Sequence, residues 1–235
     1  MPDTNQLKLP LLSPSQAQKH VTMNEALSRL DGLVQLRLQS VSVAIPPAGF
    51  DDGICYGVPS GATGAWSGQA GRLALAVNGG WEFVEARKGF RAYILDIGAP
   101  ALFDGSDWRV GGISLTPSGG GMNFVSREID VTLSSGGSVV TSIAFPARSL
   151  AFGVTGLVTQ TISGAPSFTL GVAAETVRYG TGLSTAQNSW ISGPATPLVY
   201  WSDTVLVMTS EGADFSGGAL RLVAHYAELV WPDAV

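Results

Sequence analysis

Charge is scarce in this sequence. Only 13% of its 235 residues are Asp, Glu, Lys or Arg, against about 25% in an ordinary soluble domain. So few charges solvate an isolated monomer poorly, which points to surface hidden in an oligomer. The 13 basic residues are outnumbered by 18 acidic ones, for a net charge of −5. No basic stripe is present to neutralise phosphates, so nucleic acid is not an expected partner. Cys55 is the single cysteine and excludes an intrachain disulfide. No run of about 18 apolar residues occurs, so no membrane span is expected. The opening MPDTNQLKLP lacks the charged-then-apolar order of a secretory signal. Enzyme signatures are missing too: there is no P-loop, Gly-x-Ser-x-Gly, His-Glu-x-x-His or Cys-x-x-Cys. No catalytic residue, metal or cofactor is therefore expected, and the chain is not read as an enzyme.

What is present begins with one helix signal, in the stretch 9–38. Ser13 is a good N-cap, Pro14 suits the first helical position, and Gln16 completes a capping box. Met23, Leu27, Leu30 and Val34 then form one apolar stripe, and Asp31-Gly32 reads as the C-terminal stop. The stripe needs a partner, either the sheet that follows or other copies of the chain. Before the helix, Leu7, Leu9, Leu11 and Leu12 make an extended, poorly anchored arm. It fits docking on a neighbour or covering of the chain's own sheet. Thus Leu9, Leu11, Leu12, His20, Met23, Leu27 and Leu30 are the candidate attachment and oligomerisation residues.

The rest reads as β structure, rich in glycine (30 residues) and turns. Val41 and Val43 alternate with Ser40 and Ser42, as on a half-buried strand. Segments 73–77 and 81–84 around Asn78-Gly79-Gly80 form a hairpin, and 54–58, 90–95 and 101–103 are further strands. Thr116-Pro117-Ser118 and three glycines read as a flexible connector. The predicted organisation is a helix-plus-hairpin base domain over 1–115, a Gly-rich linker over 116–121, and an antiparallel β-sandwich over 122–235. The sandwich has nine short strands in a jelly-roll-like arrangement. In its last strand Leu220, Leu222, Ala224 and Tyr226 alternate with Arg221, Val223, His225 and Ala227.

The N-terminal half carries a resemblance. Pro10-Leu11-Leu12, the run from Gln16 to Thr22, Asn24-Glu25-Ala26-Leu27, Ala62-Thr63-Gly64-Ala65-Trp66, Gly79-Gly80-Trp81 and Phe103-Asp104-Gly105-Ser106-Asp107-Trp108 resemble a domain family of unknown function. That family occurs in prophages and gene transfer agents, in tail-fibre-like and head-spike proteins. The resemblance implies a structural receptor-binding protein of a phage-like particle, made in the bacterial cytoplasm and assembled into an extracellular particle. Its implied partners are host-surface polysaccharide, such as capsule, and other particle proteins. It further implies a homo-oligomer, trimeric as such fibres usually are, or pentameric on a capsid vertex. A polysaccharide depolymerase and a purely structural capsid or fibre adaptor are the alternatives.

Binding chemistry is sought in aromatic residues on the sandwich, because a sugar's apolar face stacks on an aromatic ring. Segment 187–194 reads as a loop holding Trp190, with Gln187 and Asn188 beside it. Tyr179, Tyr200 and Trp201 add aromatic surface, while Arg178 and Asp203 add polar groups. Tyr200 and Trp201 also fit a core strand with one of the pair buried. His20 reads as a helix-face or subunit contact and His225 as a sheet-face residue. Asp104-Gly105-Ser106-Asp107 reads as a turn, with calcium as the alternative. The carboxylates Glu128, Asp130, Glu175, Asp203, Glu211, Asp214 and Glu228 show no spacing that singles out a catalytic pair.

Overall fold

A computed structural model describes residues 3–13 and 19–232 of the chain. The protein is mainly β, with one α-helix among the described residues and antiparallel sheets that do not close into a barrel. It divides into two compact units, Met1–Leu115 and Thr116–Val235.

In the first unit, helix α1 (Lys19–Leu33) precedes eight short strands. These are β1 (Arg37–Leu38), β2 (Cys55–Gly57), β3 (Arg72–Val77), β4 (Gly80–Glu85), β5 (Arg91–Ile94), β6 (Ala99–Phe103), β7 (Trp108–Val110) and β8 (Gly112–Leu115). Two small sheets form, ordered β2-β3-β4 and β1-β5-β6-β7. The β3–β4 hairpin turns at Asn78 and Gly79, both at positive φ, the geometry that a tight two-residue turn demands. The carboxylate of Asp52 accepts the N–H groups of both turn residues at 2.9 Å. Leu73 and Leu75 face a core with Leu36, Leu38, Cys55 and Phe103. Ala74 faces the other way, onto Trp66. Burial pushes the Cys55 thiol up to about 12, so it is a packed core group and not a nucleophile.

Helix α1 turns an unexpected face inward. Asp31 and Gly32 are buried and Asn24, Leu27 and Ser28 half-buried, while Met23, Leu30 and Val34 are exposed. The reason is hydrogen bonding. Asp31 accepts from the Thr4 hydroxyl (2.8 Å) and from the backbone N–H of Gln6 (2.8 Å) and Leu7 (2.5 Å). Asn24 pairs with both the N–H and the carbonyl of Leu12. The arm is therefore no loose extension: a bridge between Asp3 and Pro10 folds it back on itself, and the helix holds it. Gly32 is no terminator either. The helix continues to Leu33 and the left-handed residue is Gln35. A Cβ on Gly32 would lie 2.4 Å from Leu75 Cδ1, so the glycine lets helix and sheet touch. The Pro14–Gln16 part of the capping pattern and the His20 side chain lie outside the described residues. No strand forms at Val41 and Val43. The Ser40 hydroxyl takes the Ser42 N–H, a local bond that competes with a sheet ladder.

The second unit has eight strands: β9 (Gly121–Thr132), β10 (Ser138–Phe145), β11 (Ser149–Ser163), β12 (Ser167–Val172), β13 (Glu175–Ser184), β14 (Trp190–Tyr200), β15 (Thr204–Glu211) and β16 (Gly217–Val230). They are ordered β14-β11-β16-β9 in one sheet and β10-β15-β12-β13 in the other, with antiparallel pairing throughout. Counted from β9, the orders are 6-3-8-1 and 2-7-4-5, which is the jelly roll. One core fills the space between the sheets, drawing Ile129, Phe145, Val158, Leu170, Leu206 and Leu222 from six strands. Strand β11 runs unbroken over Ser149–Ser163. Its glycines are points of close approach rather than breaks. A Cβ at Gly153 would meet the Gly193 carbonyl at 2.6 Å, and one at Gly156 the Arg221 carbonyl at 2.8 Å. The Gly-rich stretch before β9 is a closed turn, not an open tether. The Thr116 N–H donates to the Gly120 carbonyl at 2.7 Å, and the Gly119 N–H back to the Thr116 carbonyl.

Candidate functional site

The expected binding residues fall in three places. Gln187, Asn188 and Trp190 lie together at one end of the jelly roll. Segment 187–194 is a loop only as far as Ser189, because Trp190 already opens β14. The prolines 194 and 197 hide this strand in the sequence, yet β14 is an edge strand whose one ladder partner is β11, where proline is tolerated. The Asn188 N–H donates to the Val158 carbonyl at 2.8 Å, and the Gln187 amide to the Thr159 carbonyl at 3.0 Å. Both bonds fasten the turn to β11 and so position the indole. Trp201 and Asp203 sit at the opposite end of β14, where the Asp203 carboxylate accepts the Ala147 N–H at 2.8 Å. The length of β14, with its irregularity opposite Ala151–Gly153, separates the two tryptophans.

Tyr179 and Tyr200 are core residues, 2% and 9% exposed, and cannot meet a ligand. Their hydroxyls bond each other at 2.9 Å. Phe145 stacks on Tyr200 at 5.1 Å. Burial, then the bond to Tyr200, push the Tyr179 phenol above its ordinary value. Arg178 is structural as well. It pairs with Glu175 at 2.9 Å and donates to the Thr196 carbonyl at 2.6 Å, tying β13 to β14.

A different set of residues does converge. Leu220, Leu222, Ala224 and Tyr226 of β16 face the core, so Arg221, Val223 and His225 face outward. Strand register extends this outer face across the whole sheet. Trp190 stands opposite Leu157, Leu157 opposite Arg221, and Arg221 opposite Asp130. This is one continuous row across four strands. Trp190 is 81% exposed, unusual for so large an apolar group. The Arg221 guanidinium makes a bidentate pair with Asp130 at 2.7 and 2.9 Å, and its Nε is 3.3 Å from Glu128. These contacts hold the Asp130 carboxyl below its ordinary value and raise Arg221. In the next row Ser192, Thr155, Val223 and Glu128 align. His225 follows, its Nδ1 3.0 Å from the Ser126 hydroxyl and its Nε2 2.8 Å from that of Thr155. Partial burial lowers its pKa, which favours the neutral imidazole.

The face therefore offers an indole platform beside fixed hydroxyl, guanidinium and carboxylate groups. Sequence reasoning placed His225 on a sheet face correctly, but it missed Arg221, Asp130, Glu128 and Leu157 as neighbours of Trp190. Alternation in β16 identifies the outward residues. The pairing of 130, 157, 190 and 221 is set by register and leaves no local trace.

Two further features fall outside this face. Asp104 closes its own turn, accepting from the Ser106 N–H and hydroxyl and the Asp107 N–H at 2.7–2.9 Å, and pairs with Arg109. No group of three or more metal-ligating side chains exists among the described residues. Of the attachment candidates, Leu12, Met23 and Leu30 are exposed, and Leu9, Leu11 and Leu27 half-buried. No described helix is long and apolar enough to cross a membrane.

A family model described as a protein of unknown function (DUF2793) matches residues 23–109. No curated protein matches the chain. Among solved structures, a chain from the cyanophage Pam1 capsid asymmetric unit is similar at 16% identity and a TM-score of 0.36. The match covers 49% of this chain and 91% of that one. The family match lies within the first unit and leaves the jelly roll outside it.

Proposed function

We propose that the chain is a structural receptor-binding protein, a spike or fibre component, of a phage-like particle or gene transfer agent, and that it adsorbs to polysaccharide on the host surface. The observation that carries this reading is the exposed row Trp190–Leu157–Arg221–Asp130 on the outer face of the jelly roll. Aromatic and planar polar groups side by side are what sugar rings and their hydroxyls require. An attachment role for the first unit is supported by the resemblance of the N-terminal half to domains of tail-fibre-like and head-spike proteins; the family model that matches residues 23–109 is itself of unknown function. The chain binds without cleaving, in the cytoplasm-made, externally displayed setting of a particle. Several copies multiply weak contacts into firm adsorption.

The full chain is expected to be retained by encapsulated cells and to pass acapsular ones. Purified capsule incubated with it is expected to keep its chain length on gel filtration. Equal retention by both cell types would sink the adsorption reading, and shortened capsule chains would make the protein a depolymerase.

The oligomer is assigned to the first unit. Val21, Met23 and Leu30 of α1 and Val34 just after it are each 45–51% exposed, with Leu7 and Leu12 of the arm similar. An apolar surface of this kind is rarely left bare on a monomer. Replacing Met23 and Leu30 together by Glu is expected to lower the mass measured by light scattering to that of one chain. An unchanged mass places the interface elsewhere.

A further inference from the structure

We infer that the Trp190 face selects uncharged polysaccharide and rejects acidic polymers such as uronate- or sialate-containing capsules. This rests on the reading that the face binds polysaccharide, and adds the chemical class of the ligand. The first argument is the charge of the face. Its ionised groups are Glu128, Asp130 and Arg221, which leave one net negative charge beside the indole, and the arginine is already held by both carboxylates. No cationic group on this row is left to pair with a ligand carboxylate. His225 is favoured in its neutral form by its partial burial, and its ring nitrogens already face the Ser126 and Thr155 hydroxyls.

The second argument is the charge of the whole jelly roll. Residues 116–235 hold four arginines and no lysine against eight acidic residues, so the unit carries −4 of the chain's −5. All four arginines are engaged. Arg178 pairs with Glu175, and Arg127 reaches the Ile143 carbonyl and the Tyr226 ring. Arg148 lies over the Trp231 ring at 5.8 Å. A polyanion approaching this unit meets long-range repulsion and finds no desolvated cation to offset it.

A neutral glycan meets neither obstacle. One ring stacks on Trp190, and the following rings lie along the row toward the Arg221–Asp130 fork. That fork presents fixed donors and acceptors to vicinal hydroxyls. Three strand spacings make the row about 14 Å long, which suits a short segment of a polymer.

The test uses the full chain and bacterial capsular polysaccharides separated by anion exchange into uncharged and acidic fractions. Binding is expected in the uncharged fraction, unchanged between roughly 0.05 and 0.5 M salt because no ion pair is formed. Trp190→Ala is expected to weaken it about tenfold, the scale of one lost aromatic stack. Glu128→Gln with Asp130→Asn frees Arg221 and is expected to gain binding to the acidic fraction. Trp190-dependent binding of the wild-type chain to the acidic fraction would overturn the charge selection while keeping polysaccharide adsorption. Absence of binding to either fraction overturns both.

Discussion

Trp66→Ala is expected to cost the first unit about 3–5 kcal/mol, the usual toll of removing a large buried aromatic side chain. The residue is fully buried at the end of a short 3-10 turn, Gly64–Trp66. It lies against Ala74 on the face of β3 turned away from α1. Its ring is 5.1 Å from that of Tyr56 and 5.2 Å, edge-on, from that of Trp81, which is itself 4.2 Å from Phe50. Four aromatic rings thus form the second core of a unit that has little else on that side. Urea unfolding of the full chain is expected to show an early transition moved to lower urea, with the later transition of the jelly roll unmoved. Trp66→Phe separates packing from polarity. It keeps most of the apolar volume and removes an indole N–H that has no partner among the described atoms, so its cost is expected to stay below about 1.5 kcal/mol. A Trp66→Ala midpoint within error of wild type would show that this cluster is not a core.

Asp31→Asn is the second large effect, about 3 kcal/mol in the same unit. Three donors of the arm, from Thr4, Gln6 and Leu7, converge on the two carboxylate oxygens. An asparagine keeps one oxygen and turns an NH2 toward donors that have no other acceptor. The arm is then expected to detach, seen as faster amide exchange at Gln6 and Leu7. Burial by itself raises the Asp31 pKa, but the bonds from Gln6, Leu7, Thr4 and Asn5 outweigh it and hold the group below its ordinary 3.8. A depressed carboxylate stabilises the fold fully above its unfolded pKa and loses that contribution as pH falls through its folded value. The difference between wild type and Asp31→Asn is therefore expected to be largest near neutrality and to shrink below pH 3.8. A gap that grew on acidification would contradict the assignment.

Several elements were legible in the sequence because their causes are local. The Asn78-Gly79 turn needs two residues that accept positive φ, and the sequence supplies them between alternating apolar runs. From Leu220 to Tyr226 the alternation of β16 separates its core face from its outer face, and it breaks at Ala227, which is buried. Failures trace to non-local causes. The stripe of Met23, Leu27, Leu30 and Val34 fitted either the following sheet or other copies of the chain; Asp31 and Asn24 turn the helix toward the arm, which removes the sheet as the partner of Met23, Leu30 and Val34. Gly156 lies in the middle of one long strand, and Pro194, expected at the end of a loop, lies within β14. Each is explained by a neighbouring strand far away in the chain. Trp190 was identified through its exposure-prone context, but Tyr179 and Tyr200 share its composition and differ only in which way the sheet points them. Arg221, Asp130 and Leu157 join the site through register alone.

The position of β16 also dictates when the protein can mature. This strand lies between β11 and β9 and pairs with β9 over twelve consecutive positions from Ala219 to Val230. The centre of the sheet is thus made after all the other described strands, and β9, made about a hundred residues earlier, has to wait for it. Until then β9 and β11 expose ladder edges that invite pairing with other nascent chains. The first unit meets no such delay, because its strands are complete by Leu115. Synthesis therefore completes the strands of the first unit before the second unit can close its sheet.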